Sequence, residues 1–173
     1  MLEVFKKRHS IRKYQPKEVE EEKLNEILKA AMFAPSANNR RPWEFIIIKN
    51  SEIKEKLSLA TVYSGFIKEA PIVIIPCVNE ADEPRWVEDL SIIASHIYLE
   101  ATNQGLGTCF VQIKDAETPD NSEAEEYVRK IIGVPREVRI ICLMPVGYPA
   151  EEKEEHTELE FEKEKIHLER WNK

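Results

Sequence analysis

An α+β fold, with a sheet of about four strands between helical layers, is what this sequence predicts, on three observations. Short runs rich in β-branched and aromatic residues, such as WEFIIIK at 43–49 and IVIIPCV at 72–78, alternate with longer segments whose apolar residues recur every three or four positions. Five or six such helical segments outnumber the strands, and strand-to-strand hairpin connections are scarce. One helical segment, 84–104, is apolar around so much of its circumference that more than one neighbour must cover it. Helices on both sides of a sheet make a three-layer α-β-α packing, and 173 residues suffice for one domain, not two.

Taken in order, the elements justify themselves locally. A short helix is expected from Leu2 to about Arg8, with Leu2 and Phe5 on one side. Residues 19–33 follow as a helix whose stripe is Leu24, Ile27, Leu28 and Ala31, stopped by Pro35 because the residue before a proline leaves the helical region. After the strand at 43–49, Ser51 is the expected N-cap of a helix that turns Ile53, Leu57 and Ala60 inward. The second strand, 72–78, contains Pro76, which implies a sheet edge or a bulge. In the helix at 84–104 the row Trp86, Leu90, Ile93, Ile97 and Ala101 is widened by Val87, Ile92, Ala94, Tyr98 and Leu99, as for a central or interfacial helix. Gly105 ends it. A strand at 106–113, a helix at 122–132 stopped by Gly133, and a strand at 138–146 complete the sheet. The last segment, 151–173, is nearly all charge; docked on a partner, Phe161, Leu168 and Trp171 can share one helix side.

Composition removes several functions. Lys and Arg number 25 against 32 Asp and Glu, a formal charge of −7, which argues against nucleic acid as the main partner. The most apolar stretch, 70–78, holds two prolines and falls well short of a membrane span of about 20 residues. Cys77, Cys109 and Cys142 form no metal-ligand spacing, and an odd count of cysteines in apolar strands reads as buried free thiols in a reducing, cytoplasmic setting. No GxxxxGK[ST], HExxH or GxSxG is present, and the histidines show no ligand spacing, so neither a metal nor a protein nucleophile is indicated.

Two stretches carry chemistry. Residues 8–14 (RHSIRKY) gather Arg8, Arg12 and Lys13 with a hydroxyl and an imidazole, in a chain that is otherwise acidic. Guanidiniums flanking a serine can surround a phosphate, although a basic run at the end of a short helix equally serves as a solvated cap. Residues 34–43 (APSANNRRPW) offer small polar side chains and amides suited to a planar heterocycle, or simply a helix-to-strand loop.

In order and spacing, RHSIRKY, then APSANNRRPWEF, then GLGTCF after the long helix, then VGYP and a terminal KIHLERW, the chain resembles the nitroreductase family of flavoproteins. The resemblance implies an obligate homodimer of the nitroreductase fold, a mixed sheet flanked by helices, with FMN at the subunit interface. By position, Arg8, His9, Ser10 and Arg12 would hold the phosphate and ribityl chain. Pro35, Ser36, Ala37 and Asn39 of the other subunit would line the isoalloxazine, and Val111, Gln112 and Ile113 would present backbone groups to the ring. Residues 1–173 would form one domain, 151–173 being an arm on the partner subunit. The chemistry implied is two-step: NAD(P)H reduces the flavin, and a small-molecule acceptor, nitroaromatic or quinone, reoxidises it. A specialised relative acting on one metabolite by dehydrogenation, dehalogenation or flavin breakdown, and a flavin-binding module without turnover, are the alternatives. The chain departs from the family at Arg41, commonly Gln; at Gln112, commonly Gly; and after VGYP, where Lys153 and His156 stand in place of the usual late phosphate-binding Lys or Arg.

Overall fold

The computed structural model describes residues 1–171; the last two residues of the expected arm, Asn172 and Lys173, lie outside the described residues. The elements run α1 (Glu3–Lys7), α2 (Glu21–Met32), β1 (Trp43–Ile48), α3 (Ser51–Leu57), β2 (Ile72–Asn79), α4 (Trp86–Asn103), β3 (Gly107–Thr108), β4 (Val111–Gln112), α5 (Ala124–Ile132), β5 (Val138–Ile140) and β6 (Cys142–Gly147). The sheet path is β1-β2-β6-β3, with β4 on β6 and β5 on β2, and every ladder between these strands is antiparallel. Among the described residues the parallel pairing is a bridge between Ser10 and Thr108.

Strand β2 shows why there are three layers. Its side chains alternate faces: Ile72, Ile74 and Val78 enter one core with α2 and α4, while Val73, Ile75 and Cys77 enter a second core with Leu57 of α3 and Val128 of α5. The α4 row Trp86, Leu90, Ile93, Ile97 and Ala101 is buried throughout, as its periodicity predicts. Ile92 on the widened face stays 37% exposed, so this chain alone does not cover the whole helix.

The structure corrects several local expectations. Asn50, not Ser51, caps α3, its Oδ1 accepting the Ile53 N–H at 3.0 Å. Pro76 is no edge residue, since β2 is paired on both sides. From Ile74 to Cys77, three steps along β2 face four steps along β5–β6, Met144 to Ile140, so a bulge at Ile141 sits beside the proline. There the ladder needs no N–H from Pro76, and the Ile141 carbonyl turns away to accept the Ile113 N–H at 2.9 Å. The single strands expected at 106–113 and 138–146 are therefore each broken in two. The arm is not helical: beyond Pro149 it is extended, with 3-10 turns at Glu158–Glu160 and Lys163–Lys165, and Phe161, Leu168 and Trp171 remain exposed. Too few apolar residues at helical spacing are present to offset the cost of ordering a helix so rich in like charges. The three cysteines are buried and unpaired, and burial pushes the Cys77 thiol up to about 11. Among the described residues no helix is long and apolar enough to cross a membrane, and no cluster of His, Cys, Asp and Glu could hold a metal ion.

Candidate functional site

Arg8, His9, Ser10 and Arg12 are positioned by a segment that lies against the sheet rather than in solvent. Ile11 donates its N–H to the Thr108 carbonyl at 2.9 Å, and Tyr14 donates its hydroxyl to the Ile11 carbonyl at 2.6 Å. Two glycines allow this approach. A Cβ on Gly107 would lie 2.6 Å from the Ile11 Cβ, and one on Gly147 would lie 2.5 Å from Pro71 and 3.0 Å from the Tyr14 ring. Gly107 of GLGT and Gly147 of VGYP are thus the surface on which the basic segment beds down.

The chemistry-bearing groups converge on Tyr98 and His156. The Ser10 hydroxyl lies 2.8 Å from the Tyr98 hydroxyl, which also accepts the Phe110 N–H at 2.7 Å and so holds Phe110 off β6, between β3 and β4. The Arg8 guanidinium sits over the Tyr98 ring, 5.4 Å from its centroid. His9 stacks on His156, ring centroids 4.3 Å apart and 19° from parallel. Burial, then the neighbouring His156 and Arg8, hold the His9 imidazole below its ordinary pKa and favour its neutral form. Its Nε2 is buried without a hydrogen-bond partner, as is Oγ1 of Thr108 one strand away. Arg12 is exposed, makes no ion pair among the described residues, and turns Nη1 towards the Ser10 carbonyl at 3.4 Å.

Beside Arg12 opens a cleft of about 440 Å³ walled by Tyr63, Phe66, Phe110, Val111 and Gln112. Gln112 is exposed at its mouth and donates Nε2 to the Lys114 carbonyl. Ile113 stands apart: its side chain is fully buried in the second core, and its N–H is committed to Ile141.

Pro35, Ser36, Ala37 and Asn39 form a separate group. Their loop is held by Asp89, whose Oδ1 accepts the Ala37 N–H at 3.0 Å, and by the Ser36 hydroxyl, which accepts the Arg41 N–H at 2.9 Å. Asn38, Asn39 and Arg41 all take positive φ (52°, 54° and 52°), a conformation that asparagine tolerates better than most side chains. Asp89 and Tyr98 are nine residues apart on α4, about 13 Å at 1.5 Å per residue, so one chain does not bring the loop to the basic cluster.

Sequence reasoning missed Tyr98 and Asp89, the two α4 residues that anchor these groups. Tyr98 was indistinguishable from the apolar face it widens; Asp89 was marked only as a carboxylate in a helix otherwise apolar enough to be buried.

The acidic tail follows the basic segment back. Ala150 donates to the Lys13 carbonyl, Glu151 Oε1 accepts the Arg12 N–H at 2.6 Å, and the His156 N–H donates to the Lys6 carbonyl. The Arg12 N–H holds the Glu151 carboxyl below the usual carboxylate range, and hydrogen bonds from His156 and Thr157 do the same for Glu160. A carboxyl with a depressed folded-state pKa contributes stability above its unfolded pKa and loses it as pH falls through the folded value. The tail is therefore expected to release from residues 6–13 on acidification below about pH 4, where free carboxyls protonate. Limited proteolysis from pH 7 downward, with an acid-stable protease, checks this through cleavage in 151–160 ahead of global unfolding.

The sequence profile of the nitroreductase family matches residues 5–62 and 58–148. The chain belongs to that family. Among its relatives, a Methanothermobacter thermautotrophicus protein whose name pairs NADH dehydrogenase with NAD(P)H nitroreductase is 39% identical over 174 residues, 99% of this chain and 87% of that one. A solved structure described as an FMN-dependent nitroreductase from Clostridium difficile R20291 is also 39% identical, covers 99% of this chain and 100% of that one, and superposes with a TM-score of 0.95. A Thermotoga neapolitana protein named iodotyrosine deiodinase is 26% identical, over 88% of this chain and 90% of that one. The three-layer architecture and the class of oxidoreductase follow from this membership.

Proposed function

We propose that the protein is an FMN-dependent NAD(P)H oxidoreductase acting on nitroaromatic, quinone or related acceptors, and that it works as a homodimer. The observation that carries the reading is the grouping of Arg8, His9 and Ser10 around Tyr98 and His156, with Arg12 on the wall of the neighbouring cleft at Phe110–Gln112 and the buried His9 Nε2 left without a partner. A buried polar atom without a hydrogen bond is costly, and a phosphorylated, hydroxylated chain supplies the missing group. Two guanidiniums, neither in an ion pair among the described residues, suit a dianionic phosphate. The name of the Clostridium difficile structure supports the same cofactor.

The chemistry FMN supplies when bound is hydride acceptance from NAD(P)H and onward reduction of the acceptor, in two half-reactions. What the chain contributes is binding, orientation and exclusion of water. Arg8, Arg12 and Ser10 would hold the phosphate end, with Ser10 set by Tyr98. Phe110, Val111 and Gln112 would give the ring one wall, and the exposed Tyr63 would cover the mouth. No protein acid or base is required.

The separation of the Pro35–Asn39 loop from the basic cluster supports a dimer, since a second copy can supply the loop that one chain holds too far away. The exposed Phe33, Ile92, Phe161 and Trp171 offer such a copy apolar surface. Ending the chain after Pro149 is expected to weaken the dimer; sedimentation at low micromolar concentration checks it, and an unchanged mass would refute the arm.

Purified protein is expected to be yellow and to oxidise NADH or NADPH with a nitroaromatic. Arg12→Ala removes one charge-assisted contact of about 1.5–3 kcal/mol, so flavin affinity should fall roughly 10- to 150-fold. Stoichiometric flavin retained after dialysis would count against this role for Arg12. The relatives named iodotyrosine deiodinase favour a second reading, a flavoenzyme specialised for one metabolite. Bound flavin that no nicotinamide reduces would select it.

A further inference from the structure

We propose that Lys54 is a carbon dioxide site: its ε-amine, held by two backbone carbonyls in a cleft of its own, adds CO2 and becomes a carbamate. The cleft is about 320 Å³ and is lined by residues 15–19, Lys49, Glu69 and the entry of β2. It shares no lining residue with the cleft at Phe110–Gln112, so the proposal stands apart from the flavin reading.

The helical period puts a lysine where an aliphatic residue is expected. Lys54 is three residues before the fully buried Leu57, on the inner side of α3, and is itself 8% exposed. Its Nζ donates to the Ala70 carbonyl at 2.6 Å and to the Pro71 carbonyl at 3.3 Å. It forms no ion pair among the described residues, so no carboxylate offsets the cost of burying its charge. An ammonium has three N–H donors and a free amine two. The two carbonyls therefore take every donor of the free amine, and the tetrahedral position left over is the one that carries its lone pair. Burial acts in the same direction, holding the ammonium below its ordinary pKa. An exposed lysine, protonated and hydrated, has neither feature.

Size selects the electrophile. A nitrogen this buried leaves no room for the flanking groups of an acyl donor or a sugar aldehyde, whereas CO2 is small, linear and uncharged. The lone pair forms a C–N bond to the carbon, one C–O π pair moves onto oxygen, and the nitrogen gives one proton to solvent; no atom is oxidised or reduced. The carbamate keeps one N–H, enough for the shorter bond to Ala70, and gives up the longer one to Pro71. The other charged groups lining the cleft are Lys17, Glu18, Lys49 and Glu69, all exposed. Lys17 is occupied by Glu20 at 3.6 Å and by the Tyr148 ring at 3.6 Å. Lys49 has no ion pair among the described residues and is the cation left to meet the new anion.

The test is to equilibrate the folded, full-length protein with 13C-labelled bicarbonate and CO2, trap carbamates as ethyl esters with triethyloxonium, and map the label by peptide mass spectrometry. A 13C NMR spectrum of the untrapped sample runs in parallel. The label is expected on Lys54 above every other lysine, with a carbamate resonance that disappears when CO2 is purged. Lys54→Met should lose both signals, and Lys49→Gln should lower the labelling of Lys54 without moving it elsewhere. Unfolding the wild-type protein in urea gives a control that needs no variant: labelling of Lys54 should drop to that of Lys49, because the burial and the two carbonyls are gone. Folded protein in which Lys54 carries no more label than Lys49, or labelling of Lys54 that survives unfolding, would overturn the proposal and leave Lys54 as a structural clip between α3 and β2.

Discussion

Gly107→Ala is expected to cost stability and flavin together. A Cβ there would stand 2.5 Å from Ile11 Cγ1 and 2.6 Å from its Cβ. Neither is the far end of a flexible side chain, so Ile11 must move, and Ile11 is tied to β3 through the Thr108 carbonyl. Overpacking of this kind costs about 1–3 kcal/mol. The larger effect is on function, because Arg8, His9, Ser10 and Arg12 flank the residue that is displaced. Flavin affinity should fall by at least the roughly ten-fold expected of losing one charged contact. Ile11→Ala in the Gly107→Ala background should recover part of both losses, since the two side chains compete for one space. Flavin titration by fluorescence quenching and thermal unfolding of the four proteins check this; independent, additive effects would show that the glycine is not what seats the segment.

Glu125→Ala is expected to be the most destabilising single carboxylate removal, with little effect on flavin binding per folded molecule. Glu125 is 2% exposed and accepts from Arg139 Nε at 2.9 Å, Arg139 Nη2 at 3.0 Å and the Ile140 N–H at 2.8 Å. Arg129, itself 6% exposed with Nε unpartnered, lies 3.6 Å away. The hydrogen bonds from Glu125 push Arg139 further up from an already high value, so the guanidinium stays charged. Removing the carboxylate strands a buried backbone N–H and takes their shared partner from the guanidiniums of Arg129 and Arg139, at a cost of about 3–5 kcal/mol. For a chain of this length that lowers Tm by roughly 6–20 °C. Arg139 keeps Glu80 at 2.8 Å and the Trp86 ring at 4.6 Å, so the strand should remain in place once folded. A Tm within 2 °C of wild type would show that water replaces the carboxylate freely.

The order of elements could be read from the sequence because the signals are local. The unbroken apolar run of β2, the row from Trp86 to Ala101 and the left-handed glycines after α4 and α5 each depend on residues within a few positions. The residue types of the basic segment and of the loop at 34–43 were likewise visible, as was the order of motifs that marks the family. Strand ends were less legible. Phe110 leaves its ladder for a tyrosine hydroxyl twelve residues back, and Ile141 bulges toward Ile113 beside a proline on another strand; neither choice has a local cause. The conformation of the tail was not legible either, because spacing alone does not reveal whether a partner surface exists to receive it.

Local chemistry in the chain thus determined which side chains can hold an anion and which segments become helix or strand. Only the folded structure decided that Arg8 meets His156, that Ser10 meets Tyr98, and that the Pro35–Asn39 loop stays some 13 Å along α4 from them. The physical reason is range: torsional preference and side-chain period act over one turn or one pleat, whereas these contacts join residues 88 and 148 positions apart and exist only once the glycines at 107 and 147 let the segment settle on the sheet.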